Sequence, residues 1–581
     1  MFKTLSKSIR EYKRESILSP VSVIIEVFFE SLLPFYTARL VSNIENGAGM
    51  DVLLKSGAVI LIIAMSALVF GIISGKYAAV AATGFAKNLR KDMFGNIQDF
   101  SFANINKFTS ASLVTRLTTD ISNVQMAYMM LIRPAIRFPI MFIISFVMAY
   151  IMGGKMAFIF LLVAPLLILS LLLIMRAVMP KFKAVFKKYD NINKSIQENI
   201  KGIRVVKAYV QEDYEREKFN DAAEDLRKDF TSAEKIIALT SPIFETMLNL
   251  VMIFVLTIGS YVTIKSKGMD FQVGQMSALL TYSFQILNSL MILSMLFVMF
   301  SISKESANRI AEVLEEKTDM TNGDDPSYEI KDGSINFKDV FFSYENEENS
   351  IYQLEDINLD IESGETVGII GPTGSAKSSL VQLIPRLYDV SRGIVEVAGK
   401  DVRDYDLKTL RDNISIVLQK NILFSGTIKE NLRWGDKDAS DEELIEACKL
   451  AQAHDFIMEF EDGYDTFIEQ GGSNVSGGQK QRLSIARSLL RKPKILILDD
   501  STSAVDTKTD AMIRQGLKNY LPDTTKIIIA QRIASVQEAD KIVVMDNGKI
   551  DMVGNHDYLL NNSDLYKEIY TSQTKVGDDN A

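Results

Sequence analysis

The chain has 581 residues, of which 47% are hydrophobic and 24% charged, with a formal net charge of −9, one Cys and two His. That balance excludes a uniformly basic protein that coats nucleic acid. The single Cys excludes an internal disulfide or a thiolate cluster, and two His leave little for an imidazole-held metal or a Ser–His–Asp triad.

The averages conceal a break near residue 304. Residues 1–304 carry 33 Lys and Arg against 22 Asp and Glu, whereas residues 305–581 carry 31 against 51. Residues 1–16 are charged and amphipathic and read as a helix lying on the inner leaflet, not as a cleavable signal. Residues 17–304 then hold six apolar runs, at 17–38, 56–86, 126–152, 156–175, 246–264 and 271–303. About 20 mostly apolar residues suffice for a helix to cross the bilayer core, so the pattern predicts an all-α domain of six spans. Connections alternate between short and long. Basic residues crowd ahead of the first run and in the long polar connections 87–123 and 176–235. The positive-inside rule then predicts a multi-pass protein of the cell membrane with both termini and both long connections in the cytoplasm. The long connections have a helical pattern and are expected to continue the spans below the membrane.

Three carboxylates are assigned to the spans: Glu26 and Glu30 inside the first run, and Glu245 at the start of the run 246–264. An acid in the bilayer core is costly and faces either a cavity or a partner. Glu26 and Glu30, one helical turn apart, would suit a cationic amphiphile in a cavity; the alternative is pairing with Arg39, Arg133 or Arg137.

Residues 305–332 read as a linker, 333–572 as an α/β domain with a helical subdomain, and 573–581 as a flexible polar tail. Within the domain, 366–370 is a short apolar strand that runs into Gly371-Pro372-Thr373-Gly374-Ser375-Ala376-Lys377-Ser378-Ser379 and then an apolar-periodic helix. Strand, Gly-rich loop and helix form the setting of a phosphate-binding loop. Amides from Gly371 and Thr373 to Ser379 would hold phosphate oxygens, Lys377 would reach the β- and γ-phosphates of ATP, and Ser378 would ligate Mg²⁺. The strict pattern has Gly before the Lys; here it is Ala376. A second apolar strand, Ile495-Leu496-Ile497-Leu498, delivers Asp499 at its C-terminal end, where a carboxylate meets Mg²⁺.

Between these motifs stands Val475-Ser476-Gly477-Gly478-Gln479, opening a helix from Lys480 to about Leu490. Phosphate loop, Gln419, this pentapeptide, Asp499-Asp500 and Ser503-Ala504-Val505-Asp506 follow one another in an order that resembles the ATP-binding-cassette (ABC) exporters of the multidrug type. The resemblance covers the whole chain, since six spans before one cassette is the half-transporter layout, and it implies the type IV exporter fold. It implies that Tyr344 stacks on adenine and that Gln419 links Mg²⁺ to the membrane domain. It also implies that Ser476, Gly477, Gly478 and Gln479 form a signature closing the ATP site of a partner chain, with Asp506 in the loop beside it. The segments 102–113 and 202–212 resemble the family's coupling helices.

Two departures stand out. The family places Glu after the Mg²⁺ Asp to polarise water, and here that residue is Asp500. Its carboxylate is set back by about 1.5 Å, and misplacing a catalytic group by about 1 Å can cost on the order of a hundredfold. The family's switch His is replaced by Gln531, which can hydrogen-bond a γ-phosphate but cannot titrate near neutral pH. His454 and His556 lie elsewhere and read as structural. Both departures fall at the site built on this chain's own phosphate loop. The resemblance therefore implies one half of a heterodimeric exporter of amphiphilic compounds, binding ATP and Mg²⁺ in the membrane, with weak hydrolysis at its own loop. Its partner would be a second, non-identical half-transporter; no nucleic acid partner is expected. Export of lipid or peptide, a slow homodimer and a regulatory nucleotide-binding subunit are the alternatives.

Overall fold

The computed structural model describes residues 1–578 apart from 267–268, 270, 345–350 and 502–503. The chain forms two compact units, one of Met1–Gln98 with Thr109–Glu316 and one of Asp99–Phe108 with Lys317–Ala581.

The first unit is helical. Its long helices are Lys13–Glu45, Met50–Gln98, Ile159–Lys201, Glu212–Ile237, Thr240–Ser266 and Val273–Glu315, with Ile121–Ile132 and Pro134–Gly153 making a broken one. At 1.5 Å per residue the 49-residue helix Met50–Gln98 is roughly 74 Å long, more than twice a hydrocarbon core of about 30 Å. The helices thus continue past the apolar runs, as the polar connections predicted. Among the described residues, five helical stretches are long and apolar enough to cross a membrane. One of them, Ser110–Phe182, contains two of the six expected runs and is interrupted at Gly154, whose φ of 53° suits glycine. Leu161, Leu162, Leu169, Leu172 and Leu173 point outward from Ile159–Lys201, the inside-out apolarity of a helix bathed in lipid. Ala149, Phe160, Leu167, Val255, Tyr282 and Ile286 close an apolar core on the inner side.

The N-terminus differs from the single amphipathic helix expected over 1–16. It forms a short helix, Phe2–Ser6, and a tight turn, Lys7–Tyr12, broken at Arg10 with φ of 41°, and the first long helix already begins at Lys13. Polar contacts fix this elbow. Ser8 Oγ and Arg10 Nη2 each donate to Asp92 at 2.7 Å, and Asn88 Nδ2 donates to the Ser8 carbonyl at 3.0 Å.

The second unit is an α/β domain. Its six-stranded sheet runs in the order Lys549–Gly554, Lys541–Asp546, Thr366–Ile370, Thr525–Ile529, Ile495–Asp499, Ile414–Val417. All neighbours are parallel except the first pair. Its central strands are buried on both faces, as continuous apolar runs require. Ile495, Ile497, Ile527 and Ile529 face one core, shared with an antiparallel sheet built on Ile335–Phe342 and Leu354–Ile361. Leu496, Leu498 and Ile528 face the other, shared with helices between Ile428 and Leu489. The parallel register pairs Ile529 with Ile369 on one side and with Asp499 on the other, which places the ends of Thr366–Ile370, Ile495–Asp499 and Thr525–Ile529 side by side.

Two boundaries differ from expectation. The last membrane-unit helix runs on to Glu315, and the linker that follows is pinned to the α/β domain, with Ser327 N donating to the Asp404 carbonyl at 2.7 Å. The tail expected to be flexible from 573 is helical through Asp578, because Leu565, Tyr566, Ile569 and Tyr570 seat the helix Asp564–Asp578 on the core.

Candidate ATP-binding site

The strand Thr366–Ile370 ends in the phosphate loop, and the loop's shape follows from its small residues. A Cβ at Gly371 would lie 2.1 Å from the Met545 carbonyl, so only glycine fits there. Ala376, where the strict pattern has glycine, adopts φ 65° and ψ 23°, a left-handed conformation costly for a residue with a Cβ. Lys377 Nζ folds back onto the loop, donating to the carbonyls of Gly371 and Pro372 at 2.8 Å and to Ser375 Oγ at 3.2 Å. Burial lowers the pKa of Lys377, partly opposed by Asp500 and Asp499.

Ser378 Oγ donates to Asp499 Oδ1 at 3.0 Å. A hydroxyl and a carboxylate oxygen this close are the hard donors Mg²⁺ takes. Asp499 is buried, which raises its pKa, with the Asp500 charge adding to the rise and the Ser378 hydrogen bond opposing it. A bound cation would offset that cost. The donor set fits Mg²⁺ at Ser378 and Asp499. Gln419 directs its Nε2 at Asp500 Oδ2, 3.5 Å away.

Asp500 is buried, with φ of 48°. Its Oδ2 accepts a hydrogen bond from Gln531 Nε2 at 2.7 Å, so the two residues that depart from the family's pattern bond to each other. Burial raises the Asp500 pKa and the amide donors of Gln419 and Gln531 oppose the rise. An N–H held on this carboxylate stabilises its charged form and so lowers its basicity toward a water.

Tyr344 is partly exposed; its hydroxyl lies 2.8 Å from Ser379 Oγ and its ring meets Tyr388 edge-on at 5.0 Å. The first expected coupling segment divides: Phe102–Phe108 is a helix of the ATP-binding unit, and Ser110–Thr115 belongs to the helical unit. On the former, Asn106 Nδ2 donates to Tyr388 Oη at 3.0 Å and the Phe102 ring lies 6.0 Å from the Tyr388 ring. Tyr388, which sequence reasoning did not single out, thus joins this helix to Tyr344. The second segment carries the helix Ile203–Ala208 in the helical unit.

The signature helix is Gly477–Leu489, starting three residues earlier than expected. Ser476 caps it: its Oγ accepts from Gln479 N at 3.3 Å while Gln479 Oε1 accepts from Ser476 N at 2.8 Å. Ser476 and Gly477 are exposed, with the helix N-terminus open to an anion, and Val475 is buried. Gly478 lies against Ala504, whose carbonyl would be 2.9 Å from an added Cβ. Asp506 caps the helix Thr507–Tyr520 by accepting from Thr509 N at 3.0 Å; Ser503 lies outside the described residues. His454 and His556 bond the hydroxyls of Tyr464 and Tyr566 at 2.9 and 2.8 Å, away from the phosphate loop. Among the described residues no three His, Cys, Asp or Glu gather as a metal cluster.

The carboxylates of the spans sit in the helical unit, and two of them are paired. Arg137 bridges Glu26 Oε1, through Nη1, and Glu30 Oε2, through Nη2 at 2.7 Å. Arg133 Nη2 adds a contact to Glu26 Oε2 at 3.9 Å and donates to the Gly71 carbonyl at 3.3 Å. Space for this cluster comes from Gly71 and Gly75, where an added Cβ would lie 3.2 Å from Glu26 and 3.3 Å from Arg133. Of the two readings open for Glu26 and Glu30, the structure realises the pairing with Arg133 and Arg137 and makes both members of an ion-pair cluster. Arg39 instead lies over the Phe35 ring at 4.4 Å, and Glu245 is exposed.

The family models agree with this division. The ABC transporter transmembrane region matches residues 16–290, and the ABC transporter family model matches residues 354–503. The ABC transporter ATP-binding protein YfiB of Bacillus subtilis is 36% identical over 572 residues, 98% of each chain. The chain belongs to the ABC transporter family. Another relative, YknU of Bacillus subtilis, is 35% identical over 84% of this chain and 82% of its own. In fold, this ABC transporter is similar to a bacterial Atm1-family ABC exporter solved with ATP bound, with a TM-score of 0.81 over 97% of this chain and 98% of that one at 22% identity. It thus joins a helical membrane domain to an ATPase domain and couples ATP to transport.

Proposed function

We propose that this chain is one half of a heterodimeric exporter and that the ATP site on its own phosphate loop mostly holds nucleotide. Its signature closes the hydrolysing site of a non-identical partner. The observation that carries this reading is the Asp500–Gln531 hydrogen bond at 2.7 Å, formed where the family uses Glu and His. A short carboxylate tethered by a non-titrating amide is a poor water-polarising base. The exposed, capped signature supports the trans role, because the N-terminus of Gly477–Leu489 stands open to an anion.

The proposal includes six crossings, counting Ser110–Phe182 as two separated at Gly154, with both termini in the cytoplasm. The substrate class is amphiphilic compounds moved outward. The Arg133–Arg137–Glu26–Glu30 cluster is close to neutral and ties up two of the three span carboxylates, which leaves exposed Glu245 as the acid for a cationic head group and makes apolarity the main property the spans select. ATP-driven closure of two cassettes moves the coupling segments and turns the cavity outward, and hydrolysis at the partner's site resets it.

In the complete complex, Asp500→Asn is expected to leave most ATP turnover and efflux intact, while a Glu→Gln change at the partner's equivalent position removes both. Loss of turnover on Asp500→Asn alone would sink the assignment.

A further inference from the structure

The C-terminal helix Asp564–Asp578 reaches the ATP site through one side chain. Gln573 uses both ends of its amide on the loop after the strand Thr525–Ile529: Oε1 accepts from Ile533 N at 2.9 Å and Nε2 donates to the Gln531 carbonyl at 2.8 Å. Between those two bonds the backbone of residues 531–533 has little freedom. Gln531 then uses its side chain on Asp500 Oδ2 at 2.7 Å. Two links therefore join the last helix of the chain to the carboxylate beside the Mg²⁺ position. The anchor is firm. Tyr566 is fully buried, Leu565, Ile569 and Tyr570 pack on the core that holds Ala530, Ile533 and Val536, and Ser563 Oγ accepts from Tyr566 N at 3.1 Å.

We infer that Gln573 is a positioning residue for the ATP site: it holds residues 531–533 so that the Gln531 amide is presented toward Asp500 and the γ-phosphate position. The inference rests on the reading of this chain's phosphate loop as an ATP site and extends the site to a helix outside every motif. A neutral amide has no charge to draw it to the phosphate, so its presentation depends on the contacts that hold its loop. Satisfying the orphan N–H of Ile533 at the start of the short turn Ile533–Ser535 is the purely structural role Gln573 would otherwise fill.

The test uses the full-length chain in lipid nanodiscs and compares affinities for ATP and ADP by displacement of trinitrophenyl-ATP in Mg²⁺. Gln573→Ala is expected to cut the preference for ATP over ADP about tenfold, the worth of one hydrogen bond to a charged group, with ADP affinity unchanged. Gln573→Glu keeps the acceptor for Ile533 N but loses the donor, and is expected to show the same loss. In a Gln531→Ala background, Gln573→Ala should add no further change. If Gln573→Ala lowers thermal stability but leaves the ATP-to-ADP ratio within twofold of wild type, the residue is a structural cap and the inference is overturned. Failure of the wild-type chain to bind trinitrophenyl-ATP would instead remove the ATP-site reading itself.

Discussion

Replacing Arg137 by Met tests whether Glu26 and Glu30 are structural. Glu26 has only 9% of its side chain exposed and Glu30 31%, and Arg137 touches both. Removing one member of a buried ion pair leaves an uncompensated charge and costs about 3–5 kcal/mol. Arg133, 3.9 Å from Glu26 Oε2, relieves part of this, which puts the expected loss near 3 kcal/mol. The triple variant Arg137→Met, Glu26→Gln, Glu30→Gln leaves no buried acid uncompensated, and Arg133, a third exposed, keeps the Gly71 carbonyl and reaches solvent, so most of the loss should be recovered. The assay is the fraction of full-length protein still monodisperse by size exclusion after heating in detergent. Arg137→Met should lower the midpoint by several degrees, with the triple variant close to wild type. The reasoning is refuted if Arg137→Met is as stable as wild type while Glu26→Gln/Glu30→Gln abolishes efflux of cations alone. That result would return the two acids to the substrate.

Other residues make separate predictions. Ala376→Gly removes a left-handed strain of about 1–2 kcal/mol and adds about 0.4–1 kcal/mol of unfolded-chain entropy, so the ATP-binding unit should gain roughly 0.5–1 kcal/mol, a rise of about 2 °C in its calorimetric midpoint. Burial pushes the Cys448 thiol up to about 12, so the folded chain should resist maleimide at pH 8 and react only as the cassette unfolds; prompt labelling would contradict the packing around it. Ser476→Arg places a long cation at the exposed start of Gly477–Leu489. It should abolish turnover of the complete complex while this chain's own trinitrophenyl-ATP binding stays within twofold of wild type.

The ATP site was legible in the sequence because its parts are contiguous motifs whose local folding is dictated by small residues. Gly371 faces the Met545 carbonyl and Ser476 caps its own helix, and both follow from residue type in context. The sheet order was not legible there, although buried runs such as Ile495–Leu498 mark central strands. What the sequence did not reveal depends on partners far apart in the chain. Arg137 and Glu26 are separated by 111 positions, and only the packing of their helices pairs them, although Gly71 and Gly75 at one-turn spacing mark the room they need. The tail helix carried a weak signal, Leu565 with Ile569 and Tyr566 with Tyr570, each pair four residues apart. Gln573 carried none, since an exposed Gln on a polar helix looks like solvent-facing surface until the loop beneath it is in place.

The central claim is that this chain's own ATP site holds nucleotide and does not turn it over. The most direct measurement is the steady-state Mg-ATPase rate of the purified full-length chain alone in lipid nanodiscs, with trinitrophenyl-ATP binding recorded on the same sample. The expected result is binding with little hydrolysis, unchanged by Asp500→Asn. Robust hydrolysis by the isolated chain that Asp500→Asn abolishes would contradict it.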